Sequence, residues 1–505
     1  MYRSSLYSRV DRSRAVWRGS LWLAAAFIVA GCAVGPDFHT PAAPRVEGYT
    51  AEPLPAQTTA ADVPGGQAQA FVQGRDIPGQ WWTIFHSKAL NDLIGQALQT
   101  NPDLDAAKGA LKEAWENVYA QKGAYYPGVE ATFTPTRQKT ASILTSPLAS
   151  GSNIYSLHTA QVSVGYTVDA FGGNRRQVES LKAQADLQCF QLEAAYLTLT
   201  SNVVAGAIGE ASLRGQIAAT RRIIEIQTQS LGLLRKQYEL GQVAEADVVA
   251  QAAALAQTQA ALPPFEKQLA QQRDLLARLA GRFPSEAPAE KFELSTLDLP
   301  LELPVSLPSR LVAQRPDVRS AEEQLHSASA QIGVAIANRL PNVTLSADVG
   351  SVAAAISQLF TPGTGFWALA GNLTQPVFQG GTLVHRQRAA EAAYDQSLAL
   401  YRGTVLTAFQ NVADTLQAVK CDADALKAAV AAEQAAARTL AIARTQLELG
   451  DVSYLALLNA EQTYQQAVTN RVQALANRYA DTAALFQALG GGWWNRVDAH
   501  EQASD

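Results

Sequence analysis

Apolar and polar residues along this chain follow two periods, and each period recurs in a second half of the sequence. Val129, Ala131 and Phe133 alternate with Glu130, Thr132 and Thr134, and Val162, Val164, Tyr166 and Val168 alternate with Gln161, Ser163, Gly165 and Thr167. Farther on, Val343, Leu345, Ala347 and Val349 alternate with Asn342, Thr344, Ser346 and Asp348, while Trp367, Leu369, Gly371 and Leu373 make one face of a fourth stretch. A period of two with one apolar and one polar face predicts strands lying between lipid and water. A surface hairpin of a soluble domain would alternate in the same way, so the long segments between the strands have to decide.

Those segments are helical in composition. No proline occurs from Phe171 to Leu262 or from Val377 to the end, and Ala, Gln, Leu, Glu and Arg dominate. About 67 residues separate the Gly173 region from Gly241, and about 67 separate the Gly381 region from Gly450, which predicts two helices of roughly 100 Å each. Return helices of about 40 residues should follow each glycine, which is free to take a positive φ at the turn. Pro263-Pro264 should break the first return helix. Pro102-Asp103 and Pro316-Asp317 each place proline in a first helical turn with an acid beside the positive dipole end, so helix initiation explains them better than catalysis. These helices, about 24 residues long, should stop before Pro127 and Pro341.

The anchors repeat in order. Asn101-Pro102-Asp103-Leu104 answers Arg315-Pro316-Asp317-Val318, Pro127-Gly128-Val129 answers Pro341-Asn342-Val343, and Phe171-Gly172-Gly173 answers Phe378-Gln379-Gly380-Gly381. The chain therefore reads as a duplication, with repeats over 81–290 and 309–490, a linker over 291–308 and a tail over 491–505. Residues 32–80, with Pro, Ala, Gly and Gln prominent from residue 40 onward, read as an extended segment without a core of its own. The expected fold is mixed and mostly α, each protomer giving four strands and long antiparallel helices. Four strands cannot close a barrel, since the smallest membrane barrels need about eight. Three copies would give a 12-stranded barrel continued by a cylinder of helices, so a homotrimer is expected.

Residues 1–31 carry Arg3, Arg9, Arg12, Arg14 and Arg18 with one acid, Asp11, followed by the apolar run from Leu21 to Ala30. This is a signal peptide, too short to span a bilayer. Val29-Ala30-Gly31-Cys32 looks like a lipobox, in which Cys32 would carry diacylglycerol and an N-acyl chain. Ala33 rather than Asp after the cysteine points to the outer membrane. No later stretch approaches eighteen consecutive apolar residues, so any crossing must be made by strands.

Composition narrows the chemistry further. Lys+Arg 40 against Asp+Glu 45 give a net charge of -5, and losing the signal peptide would make it more negative, so nucleic acid is not an expected partner. Six histidines and three cysteines show no metal-ligand spacing, and no phosphate-binding loop follows a strand. His86, His158, His326 and His385 lack partners at useful spacing, so no enzyme, no metal and no cofactor other than the covalent lipid is expected. Cys189 and Cys421, at heights roughly 36 Å apart on parallel helices, should not pair.

In their order the motifs resemble the TolC-like outer membrane factor family, in particular its lipoprotein branch serving resistance-nodulation-division and related efflux pumps. The resemblance is carried by Cys32-Ala33-Val34-Gly35-Pro36-Asp37-Phe38, Trp81-Trp82-Thr83-Ile84-Phe85, Arg315-Pro316-Asp317-Val318, Gln331-Ile332-Gly333-Val334-Ala335, Pro376-Val377-Phe378-Gln379-Gly380-Gly381 and Ser453-Tyr454-Leu455-Ala456-Leu457-Leu458-Asn459-Ala460-Glu461. It implies a passive exit duct in the outer membrane that takes drugs or other toxic small molecules from a periplasmic adaptor, the membrane fusion protein, and an inner-membrane transporter. It also implies a periplasmic gate at Leu455 and Asn459, four residues apart on one helical face, with Asp247 at matching depth in the first half. Asn459 stands where the family often has Asp, and Val452 where some members have an Arg partner, so the sequence leaves open whether a polar lock acts at that pair in addition to the Leu455 ring. Gly241, Gln242, Val243 and Ala244, with Gly450, Asp451, Val452 and Ser453, are the implied adaptor-docking tips. A periplasmic coiled-coil lipoprotein scaffold without a pore is the competing function, and it has no use for four amphipathic strands.

Overall fold

The structure is a computed structural model that describes residues 33–141, 154–287 and 289–496. In chain order the strands are β1 (Ala70–Gln73), β2 (Gly128–Lys139), β3 (Ile154–Val168), β4 (Glu302–Val305), β5 (Asn342–Ala353) and β6 (Gly365–Thr374). The helices are α1 (Lys88–Thr100), α2 (Pro102–Lys122), α3 (Gly173–Glu239), α4 (Glu245–Leu279), α5 (Pro308–Gln314), α6 (Pro316–Ala337), α7 (Thr382–Glu448) and α8 (Tyr454–Ala488). The expected signal peptide over 1–31 and the expected lipid site Cys32 lie outside the described residues. The chain forms two compact units, each with residues from both halves of the sequence: the described parts of the first are 33–40, 112–187 and 322–400, and of the second 41–111, 188–321 and 401–496.

The first unit is organised by a four-stranded antiparallel sheet in the order β2-β3-β5-β6. Its register places Ala131 opposite Val162 and Val162 opposite Val349, which in turn faces Trp367. Val129, Val164, Ala347 and Leu369 form the adjacent apolar row. Directly paired residues share a face, so all four alternating stretches put their apolar sets on the same side. The opposite side carries Glu130, Thr132, Ser163, Gln161, Thr344, Ser346, Asp348 and Asn372.

The second unit holds the larger core. A single 3-10 turn, Trp81–Phe85, buries Trp81 against Phe486 with rings stacked 5.7 Å apart, and buries Phe85 against Tyr479. Short parallel strands β1 and β4 pair beside it, with Phe71 opposite Leu303. Residues 41–80 are extended, but they are not without a core: Gln69 and Ile77 are fully buried, and Gln69 Nε2 donates to the carbonyl of Pro300 at 2.9 Å. The segment borrows the hydrophobic surface of α8 and β4, which its composition does not reveal.

Helix boundaries follow the local chemistry. The long helices α3 and α7 are 67 residues each and the return helices α4 and α8 are 35 each. Helices α2 and α6 begin at Pro102 and Pro316 and run 21 and 22 residues. Asn101 Oδ1 accepts from the amides of Asp103 and Leu104, while Arg315 holds Asp317 through two hydrogen bonds and donates a third to the carbonyl of Ala488. Asp317 is therefore a fold residue. The expected break at Pro263-Pro264 does not occur, because α4 runs through both prolines. The missing amides would have bonded the carbonyls of Gln259 and Ala260, and these residues lie on the exposed side, where water can satisfy them. Among the described residues no helix is long and apolar enough to cross a membrane.

Candidate functional site

Two surfaces can carry function, and the first is the sheet. Its apolar side is uncovered: Trp367 and Leu369 are each 74% exposed, and Val129, Phe133, Leu345, Val349 and Leu373 are exposed with them. An apolar patch of that extent marks contact with another protein or with lipid. Among the described residues strands β2 and β6 each pair along one side only, so the sheet has two open edges whose amides and carbonyls must find partners wherever water is absent.

The second surface, in the other unit, is the pair of helical hairpin tips. Both turns close by the same two bonds. The amides of Gly241 and Gln242 donate to the carbonyls of Tyr238 and Gln237, and those of Gly450 and Asp451 donate to Leu447 and Gln446. With φ of +71° at Gly241 and +80° at Gly450, these are Schellman caps that require the glycines. Gly241, Gln242, Ala244, Gly450, Asp451 and Ser453 are exposed, and Val243 and Val452 are half-buried. Beneath them Leu234, Ala254, Leu440, Tyr454, Leu457 and Leu458 form a small core that ties one hairpin to the other.

Leu455 is 62% exposed and Asn459 is exposed, so neither belongs to that core; they share the outward stripe of α8. Asp247 is half-buried, and among the described residues no ion pair joins it to a base. The polar link between hairpins lies elsewhere. Tyr454 donates its hydroxyl to Oε1 of fully buried Gln251 at 2.7 Å, and Gln251 Nε2 donates to the carbonyl of Gln227 at 3.1 Å. Burial pushes the Tyr454 phenol well above its ordinary value, and the fields of Glu461 and Asp247 add to the shift. Glu461 is itself buried, 3.7 Å from Arg444; burial raises its carboxyl pKa while Arg444 opposes the rise. Tyr454 and Glu461 lie in the Ser453–Glu461 motif, but the sequence offered no signal for their partners Gln251 and Arg444, which are polar residues in helices of even composition.

A sheet with an exposed apolar face and open edges, joined in one chain to helices of 67 residues that turn at polar tips, is the form of a channel protomer. The chain belongs to the outer membrane efflux protein family: the family described as "Outer membrane efflux protein" matches residues 93–282 and 307–491. Among its relatives, the probable efflux pump outer membrane protein TtgC of Pseudomonas putida is 29% identical over 486 residues, covering 95% of this chain and 96% of that protein. The probable outer membrane lipoprotein SilC of Salmonella typhimurium is 26% identical over 468 residues, covering 92% and 97%. The solved outer-membrane channel OprN superposes with a TM-score of 0.81 at 26% identity, over 92% of this chain and all of that one. The protein is thus an outer membrane efflux channel.

Proposed function

We propose that this chain is the exit duct of a tripartite efflux pump, working as a homotrimer that passively conducts drugs or other toxic small molecules out of the periplasm. The observation that carries the reading is the sheet, with one continuous apolar face and two unpaired edges. Three copies pair β6 of each with β2 of the next and close twelve strands, leaving no edge in lipid. The polar faces then line a water-filled bore, and the helices of the three copies continue it. A pore of this kind needs a wall and a gate, and its energy comes from a resistance-nodulation-division or related transporter in the inner membrane, reached through a periplasmic adaptor.

The tips Gly241, Gln242, Val243 and Ala244 and Gly450, Asp451, Val452 and Ser453 are the adaptor-docking surface in this reading. Leu455 and Asn459 form the gate ring, with Asp247 beside it. Residues 1–31 are the signal peptide, Cys32 carries the lipid, and 81–290 and 309–490 are the duplicated repeats. A scaffold without a pore would have no use for a sheet that exposes Trp367, Leu369 and Leu373 together.

The test is reconstitution of the full-length protein in planar bilayers together with native mass spectrometry. Trimers that open discrete conductance steps are expected, and monomers without conductance would overturn the reading. Metabolic labelling with a palmitate analogue should mark the wild type and miss Cys32→Ala; label retained by the variant would refute lipidation there.

A further inference from the structure

The first eight described residues do not hang free. Val34 donates its amide to the carbonyl of Phe171 at 3.1 Å, just past the end of β3. Arg176, in the first turn of α3 and 4% exposed, donates to the carbonyls of Val34 and Gly35 at 3.0 and 3.3 Å and to Asp37 Oδ1 at 2.7 Å; its remaining arm pairs with Glu179 at 2.8 Å. The Arg176 guanidinium holds the Asp37 carboxyl below its ordinary range. Phe38 stacks on the His326 ring at 4.4 Å, and Thr40 donates to buried Glu322 at 2.8 Å. Backbone meets backbone where no side chain fits: a Cβ on Gly35 would lie 2.4 Å from Gly333 Cα, and one on Gly172 would lie 2.6 Å from Ala33 Cα.

The second half of the sequence supplies an internal contrast. Three residues after Gly173 stands Arg176, but three residues after the matching Gly381 stands Val384. There Val377 and Phe378 are 92% and 88% exposed, whereas Phe171 is half-buried under the segment. Only one of the two strand-to-helix junctions is built as a seat, and what it seats is a backbone with two carbonyls and an acid at fixed spacing. A buried guanidinium is stable only with such acceptors in place.

We propose that residues 33–40 are a clasp and Arg176 its positioning residue, which holds the amino-terminal segment at the end of β3 so that the anchor on Cys32 enters the bilayer at one depth. The proposal rests on the lipidation stated above. The clasp fixes the chain as far as Ala33, whereas a free eight-residue tether would let an anchor wander by roughly 15 Å.

Chymotryptic cleavage after Phe38 in the full-length protein, read by mass spectrometry against cleavage of a free peptide of the same sequence, tests the clasp. Cleavage in the wild type should be at least about 100-fold slower than in the peptide, because a protease cuts only the open form. Arg176→Ala should speed it about 10-fold or more, Arg176→Lys less, and Asp37→Ala, a change at an exposed side chain that leaves the fold intact, several-fold; cleavage elsewhere stays unchanged. Wild-type cleavage at the peptide rate, or unchanged protection in both Arg176→Ala and Asp37→Ala, would overturn the clasp. Cys32→Ala should keep the protection while losing the lipid, so loss of the clasp and an error about lipidation give different results.

Discussion

The Tyr454 hydroxyl donates to Gln251 Oε1 across 2.7 Å, joining the first turn of one return helix to the second turn of the other although the residues are 203 positions apart. Because Gln251 is fully buried, this bond is sheltered from competing water. Tyr454→Phe leaves a buried acceptor without a donor and should cost about 1–3 kcal/mol. A lower thermal midpoint and more frequent opening in planar bilayers are expected. Should Tyr454→Phe gate and melt like the wild type, the bond has no part in holding the tips together.

Leu455 offers an apolar side chain to whatever faces α8, and in three copies such a ring closes by dewetting rather than by charge. Leu455→Ala should raise single-channel conductance and sensitise cells to large antibiotics. Asn459→Asp adds three carboxylates in a trimer and should bring block by divalent cations, while Asn459→Ala should do less than the leucine change. Unaltered conductance in a trimeric, inserted Leu455→Ala protein would move the constriction elsewhere, with Asp247 the next residue to test.

Glu461 makes the tips sensitive to pH. Its carboxyl pKa is raised in the folded chain by burial, with Arg444 opposing and Tyr454 the other titratable group beside it. A raised pKa means that the contribution to stability is complete below the ordinary value of 4.5 and is lost as pH rises through the folded value. Glu461→Gln should therefore stabilise the protein at neutral pH and flatten the rise of its melting temperature on acidification. A lower melting temperature for the glutamine variant at pH about 7 would mean that attraction to Arg444 outweighs burial.

The contact between α3 and α6 should weaken with alkali. His326 Nδ1 lies 3.3 Å from Glu323 and Nε2 lies 3.1 Å from Glu179. The bond to Glu323 raises the imidazole pKa, burial opposes it, and Glu179 adds to the rise. Glu322 on the same helix, Arg176 on α3, and Asp37 and His39 on the segment are the other charged or titratable groups around it. Protonated His326 thus contributes stability at the α3–α6 contact that is complete below the ordinary value of 6.5 and is lost as pH rises through the elevated one. The melting temperature should fall between pH about 6 and 8.5 in the wild type, and that part of the fall should be absent in His326→Gln. Equal pH profiles for the two proteins would remove His326 from the mechanism.

Much of this molecule is written locally. Proline at a first turn and glycine at a positive φ are properties of single residues, so Pro102, Pro316, Gly241 and Gly450 mark helix ends in the sequence and in the structure alike. Strand faces are equally legible, since a period of two survives in any register. Short elements are not: β1 and β4, four residues each, and the seven-residue α5 are too brief for any period to show.

Tertiary structure decided whatever depends on a partner distant in sequence. Register set Val162 against both Ala131 and Val349, turning four separate alternations into one lipid-facing surface. Exposure allowed Pro263-Pro264 to remain inside α4, because the carbonyls they leave unbonded face water. Tyr454 found Gln251, and Arg176 found the carbonyls of Val34 and Gly35, through packing of elements whose own sequences carry no mark of the meeting. A hydrogen bond or close contact selects its partner by position in space, and position across 140 or 200 residues is fixed only when the helices and strands between have packed.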